Sequence, residues 1–548
     1  MRIRYGLILA FVFYMCCAPN VYPMSAKAPP LLPRMSSPEL CQALPPPTGP
    51  TTEVWPAQAE ELGAIVRDAR PGDTVLLHDG IYYLNGAYLW FATPGVTLRG
   101  YSGDPRAVIL DGGYETTEVI TVQASNVTIT DLTILHAYTH GIHVFPPTKQ
   151  DIRGTRIHRV AVIDAAEQAI KINANGGHYA DEGEISCCHI ALTDAGREHV
   201  RNDCYTGGID AHQARGWKVR DCTIQGFWCA SGLSEHGIHF WAGSRDTIVE
   251  RNVLLDNVRG IGFGLVESGA GRTYGDDPCP TAEGYVDHYD GIVRNNAIYQ
   301  GEVALYASEY GYDCGICLAQ ACGVQVVHNT VIARRPPFNS IEWRFPNTRA
   351  SIINNLVSHD LMRRDGATAT LAGNLGGASP SLFVDPAQGD LHLISATSAP
   401  VDAGVPLSAG VCNDDIDGIA RPQGAGWDVG ADEWTAGSIS FPIPLGVGWN
   451  LVSIPLHPQD SAIEEVLATI AGSYEIVMAR AHPWSEEWLW YDPHAPTSPL
   501  TMLDETMAFW VKLSQADTLV VSGSAPLTKT IPLHAGWNLI PYPSAQSL

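Results

Sequence analysis

Apolar and polar residues alternate in short runs along most of the chain, and Gly, Asn, Asp and Pro punctuate the runs. Period-two alternation of this kind predicts half-buried strands rather than amphipathic helices. One phrase recurs: a small residue, Ile, any residue, then an apolar one. It reads Val119-Ile-Thr-Val122, Gly141-Ile-His-Val144, Ala169-Ile-Lys-Ile172, Gly208-Ile-Asp-Ala211, Gly237-Ile-His-Phe240, Gly260-Ile-Gly-Phe263, Gly315-Ile-Cys-Leu318 and Ser340-Ile-Glu-Trp343. Most steps between successive isoleucines are 22 to 39 residues, with one of 55. A parallel β-helix coil takes roughly 22 residues, and extra length loops out at a turn.

A second phrase lies between the first: Arg251-Asn252-Val253-Leu254, Asn295-Asn296-Ala297-Ile298, His328-Asn329-Thr330-Val331 and Asn354-Asn355-Leu356-Val357. One asparagine per coil at one corner is what a ladder of stacked side-chain amides requires. Cys188 and Cys222 hold the same place in earlier coils, within reach of a disulfide but equally suited to two buried thiols. Two phrases sharing one period predict an all-β fold, a right-handed parallel β-helix.

Strand phase then sorts the intervening residues. With the isoleucines inward, one outward column runs Thr121, His143, Lys171, Asp210, His239, Gly262, Cys317, Glu342. A second, two residues on, runs Phe145, Asn173, His212, Trp241, Gly264, Ala319, Arg344. Lys171, Asn173, Asp210, His212, His239 and Trp241 should share three rungs, roughly 10 Å of wall. That is an uncommon cluster for a solvated sheet face.

The ends read differently. Residues 1–28 carry two Arg, the apolar run Leu7 to Cys17 and a small-residue stretch, which is the pattern of a secretory signal peptide. Lipid attachment at Cys16 or Cys17 is an alternative use of the same segment. A Pro-rich linker is expected over 29–56, and the coil domain over 57–434. Leu62, Ile65, Val66 and Ala69 at helical spacing predict a short helix capping its first coil. Long insertions at 265–290 and 302–313 are candidates for cleft-shaping loops. The run from Asp415 to Glu433 resembles the closing segment of exported bacterial β-helix proteins, and a β-rich module with Gly448-Trp-Asn-Leu451 and Gly536-Trp-Asn-Leu539 is expected over 435–548.

Charge narrows the partners. A net charge of −25 argues against nucleic acid and anionic membrane surfaces, which need a basic face. No later stretch is apolar enough to span a bilayer, so an exported monomer is expected. Eleven cysteines follow the leader, and an oxidising compartment should pair some of them, in a connectivity the spacing does not reveal.

The coil phrase over 119–357 resembles the pectate-lyase-like right-handed β-helix superfamily, in which polysaccharide lyases predominate beside glycoside hydrolases and proteins without known activity. The resemblance implies a polysaccharide partner and β-elimination on a uronic-acid polymer. Elimination needs a base for the C5 proton, a neutraliser for the carboxylate and an acid for the leaving oxygen. Lys171, with a pKa lowered by burial, is the expected base. His212 or His239 is the acid or an alternative base, and Arg259 a partner for a carboxylate. Asn173, Trp241, Arg245, Arg344 and Glu342 are the expected substrate contacts, and Asp210 with Asp181 or Glu182 the expected Ca²⁺ ligands. Glu235 to Asn252 is loosely similar to the chondroitinase B and alginate lyase motif, but Gly243 stands at that family's lysine position and Gly237 at its acidic strand position. The alternatives are a glycoside hydrolase, with carboxylates supplied by Asp181, Glu182 or Glu235, and a non-catalytic surface carbohydrate binder.

Overall fold

The computed structural model describes residues 40–435 apart from Asn202, Pro337 and Ala396, and beyond them 439–458, 461–480, 487–495, 497–524 and 538–540. The expected leader over 1–28 lies outside the described residues.

Ten parallel strands form one wall of a β-helix: β1 (Leu89–Phe91), β2 (Glu118–Val122), β3 (His140–Val144), β4 (Gln168–Ile172), β5 (Gly207–His212), β6 (Ile238–Trp241), β7 (Arg259–Phe263), β8 (Cys314–Ala319), β9 (Asn339–Arg344) and β10 (Leu361–Arg363). Each pairs only with the strands before and after it in the chain, so every coil adds one rung. A second sheet of 22 strands, from Thr51–Val54 to Thr368–Ala372, carries the remaining sides of the coils. The architecture is a parallel β-helix.

The isoleucine phrase sets the register. Ile120, Ile142, Ile170, Ile209, Ile238, Ile261, Ile316 and Ile341 are successive pairing partners. All eight are fully buried in one continuous apolar core. The 55-residue step between Ile261 and Ile316 leaves the pairing intact, because its surplus leaves the coil as a loop.

Corners use the left-handed region. Asp131, Arg159, Cys187, Asp221, Arg251, Asn295, His328 and Asn354 all have φ between 51° and 57°. Asn and Asp tolerate this conformation through local hydrogen bonds, whereas Arg and His do not. Those two gain their support from the neighbouring coil: Arg159 bonds Asp131 at 2.7 Å, Arg251 bonds Asp221 at 2.8 Å, and the His328 ring meets Asn354 at 3.0 Å.

The residue after each corner turns inward and builds the amide ladder. Asn252, Asn296, Asn329 and Asn355 donate Nδ2 to the Oδ1 of Asn296, Asn329, Asn355 and Asn374 in turn, each at 2.9 Å. Backbone N–H groups of Asn252, Asn296, Asn329 and Asn355 donate to the same oxygens at 2.9–3.1 Å. Cys188 and Cys222 continue the column as free thiols; the Cys222 N–H donates to Asn252 Oδ1 at 3.0 Å. Disulfides form elsewhere: Cys41–Cys187, Cys204–Cys229, Cys279–Cys322 and Cys314–Cys317.

The capping helix spans Ala59–Asp68 and buries Leu62 and Val66. The stretch expected as linker contributes to the stack well before residue 57. Cys41 is bonded to Cys187, and Thr51–Val54 pairs with Thr74–Leu77 because a free sheet edge is available there. Past the coils, the closing run holds Arg421 and Glu433 as a fully buried ion pair at 2.7 Å. Antiparallel strands from Ile439–Leu445 to Asp517–Ser524 then surround their own apolar cluster. The first Gly-Trp-Asn-Leu copy opens the strand Gly448–Ser453, and the first half of the second, 536–537, lies outside the described residues. Among the described residues, no helix is long and apolar enough to cross a membrane.

Two stability measurements test this account. Asn329→Ala should cost about 1–3 kcal/mol in urea unfolding, because buried groups of Asn296 and Asn355 lose partners. His189 lies buried on the strand His189–Ala191, and burial alone pushes its pKa down to about 4. The unfolded chain therefore takes up that proton first as pH falls. Its contribution is fully present above about pH 6.5 and is lost toward pH 4. His189→Leu should flatten the dependence of the urea midpoint on pH across that window.

Candidate functional site on the ten-stranded wall

Register places Thr121, His143, Lys171, Asp210, His239, Gly262, Cys317 and Glu342 opposite one another in succession, with His212 opposite Trp241 and Ala319 opposite Arg344. Both expected columns therefore exist. Their central residues are covered rather than open: Lys171, Asp210 and His239 are 4%, 1% and 0% exposed.

Asp210 is the hub. Its carboxylate bonds the Lys171 ammonium, accepts from Trp241 Nε1 at 2.9 Å and lies 3.2 Å from His212 Nε2. Burial opposes its charge, but His212, His239 and Lys171 around it hold the carboxyl well below the usual carboxylate range. Lys171 Nζ also reaches Tyr205 Oη at 3.2 Å and His212 Nε2 at 3.1 Å. Burial works against the ammonium too, yet Asp210 outweighs it and raises the Lys171 pKa above its ordinary value. The expected lowering of the Lys171 pKa is thus reversed: Asp210 favours the ammonium over the free base.

His239 lies behind Trp241, with the two rings stacked at 5.4 Å and 4° between planes. Its Nδ1 is 3.5 Å from Asp210 and 3.4 Å from Glu235, and its Nε2 faces the Gly264 carbonyl at 3.3 Å. Despite burial, the two carboxylates push its pKa up to about 9. His236 lies beside it at 4.3 Å with the rings tilted by 38°, and burial drives that imidazole well below its ordinary range, hence neutral. Room for the His236 ring exists only because residue 262 is glycine; a β-carbon there would stand 2.6 Å from Nε2.

What remains accessible is the rim. The His212 side chain is 26% exposed and meets Trp241 edge-on at 4.5 Å. Tyr205, 36% exposed, overhangs Lys171 from the loop before β5. The Cys204–Cys229 disulfide fastens that loop to the one before β6. Asn173 is half-buried, and its amide oxygen has no hydrogen-bond partner.

Other expected site residues are engaged elsewhere. Arg259 is held by Asp313 at 2.8 Å on β7. Arg245 belongs to the larger sheet, pairing with Asp276 at 2.7 Å, so it does not share the wall. Glu342 and Arg344 stand three rungs past His239, bonded to Arg364 and Asp365. The expected calcium set does not assemble. Asp181 is clamped by Arg272 at 2.7 and 2.9 Å, Glu182 is a surface residue 3.9 Å from Arg153, and Asp210 is saturated by Lys171, His212 and Trp241. Among the described residues, none of these three acids belongs to a group of three ligating side chains within 4.8 Å. Tyr205 and His236 were not anticipated; both fall in irregular segments outside the repeated phrase, and only their closeness in sequence to Asp210 and His239 marks them.

No family model matches the chain, and no curated protein matches it. Among solved structures it is similar to the pectate lyase Pel9A, at 15% identity and a TM-score of 0.40, covering 70% of this chain and 96% of that one. The tailspike protein of E. coli bacteriophage HK620 in complex with a pentasaccharide has 11% identity and a TM-score of 0.40, covering 83% and 81%. The polygalacturonase from Erwinia carotovora ssp. carotovora has 11% identity and a TM-score of 0.35, covering 62% and 96%.

The buried Lys171–Asp210 pair gives a direct check. Asp210→Asn strands an ammonium and should cost about 3–5 kcal/mol in urea unfolding, whereas Lys171→Met/Asp210→Leu should cost clearly less.

Proposed function

We propose that the protein is an exported polysaccharide lyase that cleaves a uronic-acid polymer by β-elimination at the rim formed by Tyr205, His212, Asn173 and Trp241. The observation that carries this reading is the chain Tyr205–Lys171–Asp210–His212: two exposed proton-transfer groups tied to one buried ion pair. His212 Nε2 meets both the Asp210 carboxylate and the Lys171 ammonium; in the tautomer that gives Asp210 its Nε2–H, the lone pair lies on Nδ1, the nitrogen suited to take the C5 proton. The C5–H electrons form the C4–C5 double bond, the C4–O bond breaks, and the Tyr205 hydroxyl gives its proton to the leaving oxygen. The phenolate so formed sits beside the Lys171 ammonium, which stabilises it without moving a proton. The unpartnered Asn173 Oδ1 is suited to accept from a sugar hydroxyl, and Trp241 supplies an apolar surface for a sugar ring. Four disulfides support an oxidising, extracytoplasmic setting.

The test is incubation with a panel of uronic-acid polymers while following the ultraviolet absorbance of the unsaturated uronate product. Absorbance should rise on at least one polymer, and Tyr205→Phe and His212→Ala should each lower kcat by about 100-fold or more. Reducing ends released without absorbance would mean hydrolysis, and binding with neither would mean a carbohydrate-binding role; either result rejects the lyase reading.

A further inference from the structure

Directly beneath this rim, three side chains bring buried ligand atoms together without a hydrogen bond to any of those atoms. We propose that Glu235, His236 and His239 bind one divalent transition-metal ion of the zinc class. The proposal adjoins the elimination reading but does not rest on it.

Four observations carry it. Ligand atoms from all three residues lie within 4.8 Å of one another. Glu235 Oε2, His236 Nδ1 and His239 Nδ1 are each buried without a hydrogen-bond partner, and the two histidines are only 2% and 0% exposed. Three orphaned donors meeting at one point are costly unless something sits between them. The spacing fits an ion: Glu235 Oε2 and His239 Nδ1 are 3.4 Å apart, and two ligands about 2.0–2.1 Å from a tetrahedral zinc stand roughly 3.3 Å apart. Lastly, His239 Nε2 faces the Gly264 carbonyl at 3.3 Å, an outer contact that leaves Nδ1 to the site, where a bound ion would displace its proton.

Local sequence explains the convergence. In Glu235-His-Gly-Ile-His239 the chain bends at Gly237 as it enters β6, and Ile238 goes into the core. The bend brings the two imidazoles into contact instead of sending them to opposite faces. Glycine at position 262 of the next rung clears the space. Asp210, 3.5 Å from His239 Nδ1, adds negative charge beside the ion. Two imidazoles and a carboxylate favour zinc, cobalt or nickel over calcium, which prefers oxygen ligands. Three protein ligands leave one tetrahedral position for water or a sugar oxygen. His236 also lies within 4.8 Å of the Cys314 and Cys317 sulfurs, but these are joined to each other and are not thiolate ligands.

The experiment strips the full-length protein with a chelator, then titrates Zn²⁺ by calorimetry and Co²⁺ by visible absorption. One equivalent of each should bind, with the d–d bands of tetrahedral cobalt. Glu235→Gln and His239→Gln should each weaken binding by about 10-fold or more. Glu235 is half-buried, so Glu235→Gln should keep the unfolding midpoint of the metal-free protein and separates lost affinity from lost fold. Absence of binding, binding unchanged in Glu235→Gln, or binding that appears only after reduction of the Cys314–Cys317 disulfide would overturn the proposal. Loss of lyase activity alone bears on the preceding section, since the readout here is metal affinity.

Discussion

Each strand of the stack finds its hydrogen-bond partners in the coils above and below, so residues at one station of successive coils stand about 4.8 Å apart. This in-register parallel pairing is the constraint on which everything else depends. It lines the isoleucines into one core, brings the asparagine amides within bonding range, and makes a wall whose chemistry is set by one residue per coil. A slip of one residue in any strand would turn its isoleucine outward and its polar residue into the core. Both the scaffold and the Lys171–Asp210–His239 sequence of neighbours are products of that register.

The parts of the structure that repeat were legible in the chain. Eight isoleucines and four asparagines gave the pairing, the ladder and both outward columns. Charge states were not legible, because they depend on contacts between coils. Lys171 is paired with Asp210, 39 residues away in sequence, and Asp181 with Arg272, 91 residues on. Alternation alone could not show that either carboxylate was already taken. Arg245 was misplaced for a different reason. After Gly243, with φ of 83°, the chain leaves β6 and enters the other sheet, so the strand phase no longer applies. Tyr205 and His236 sit in irregular segments without periodicity, where only a tertiary contact reveals them.

The site separates buried charge from exposed chemistry. Lys171 and Asp210 neutralise each other out of water, where a charge is costly alone and a pair in good geometry is sustained. The residues able to meet a ligand stand around this pair and inherit its orientation. His212 and Trp241 both bond Asp210, so imidazole and indole are fixed relative to each other. Tyr205 comes from a loop, and its position is secured by the adjoining disulfide and by the lysine beneath it. Groups that must act together are thus joined through one carboxylate rather than through direct contact.

The amide ladder has a further consequence. Every oxygen in it points toward the earlier coil and every NH₂ toward the later one, so the dipoles add along the axis and each bond polarises the next. The protein's length is therefore quantised. Surplus residues can accumulate by the dozen in a loop, as they do before Ile316, while a single extra residue between a left-handed corner and its ladder amide would put that amide out of line with both neighbours. Lineages of this fold should lengthen or shorten by whole coils, and diversify between them.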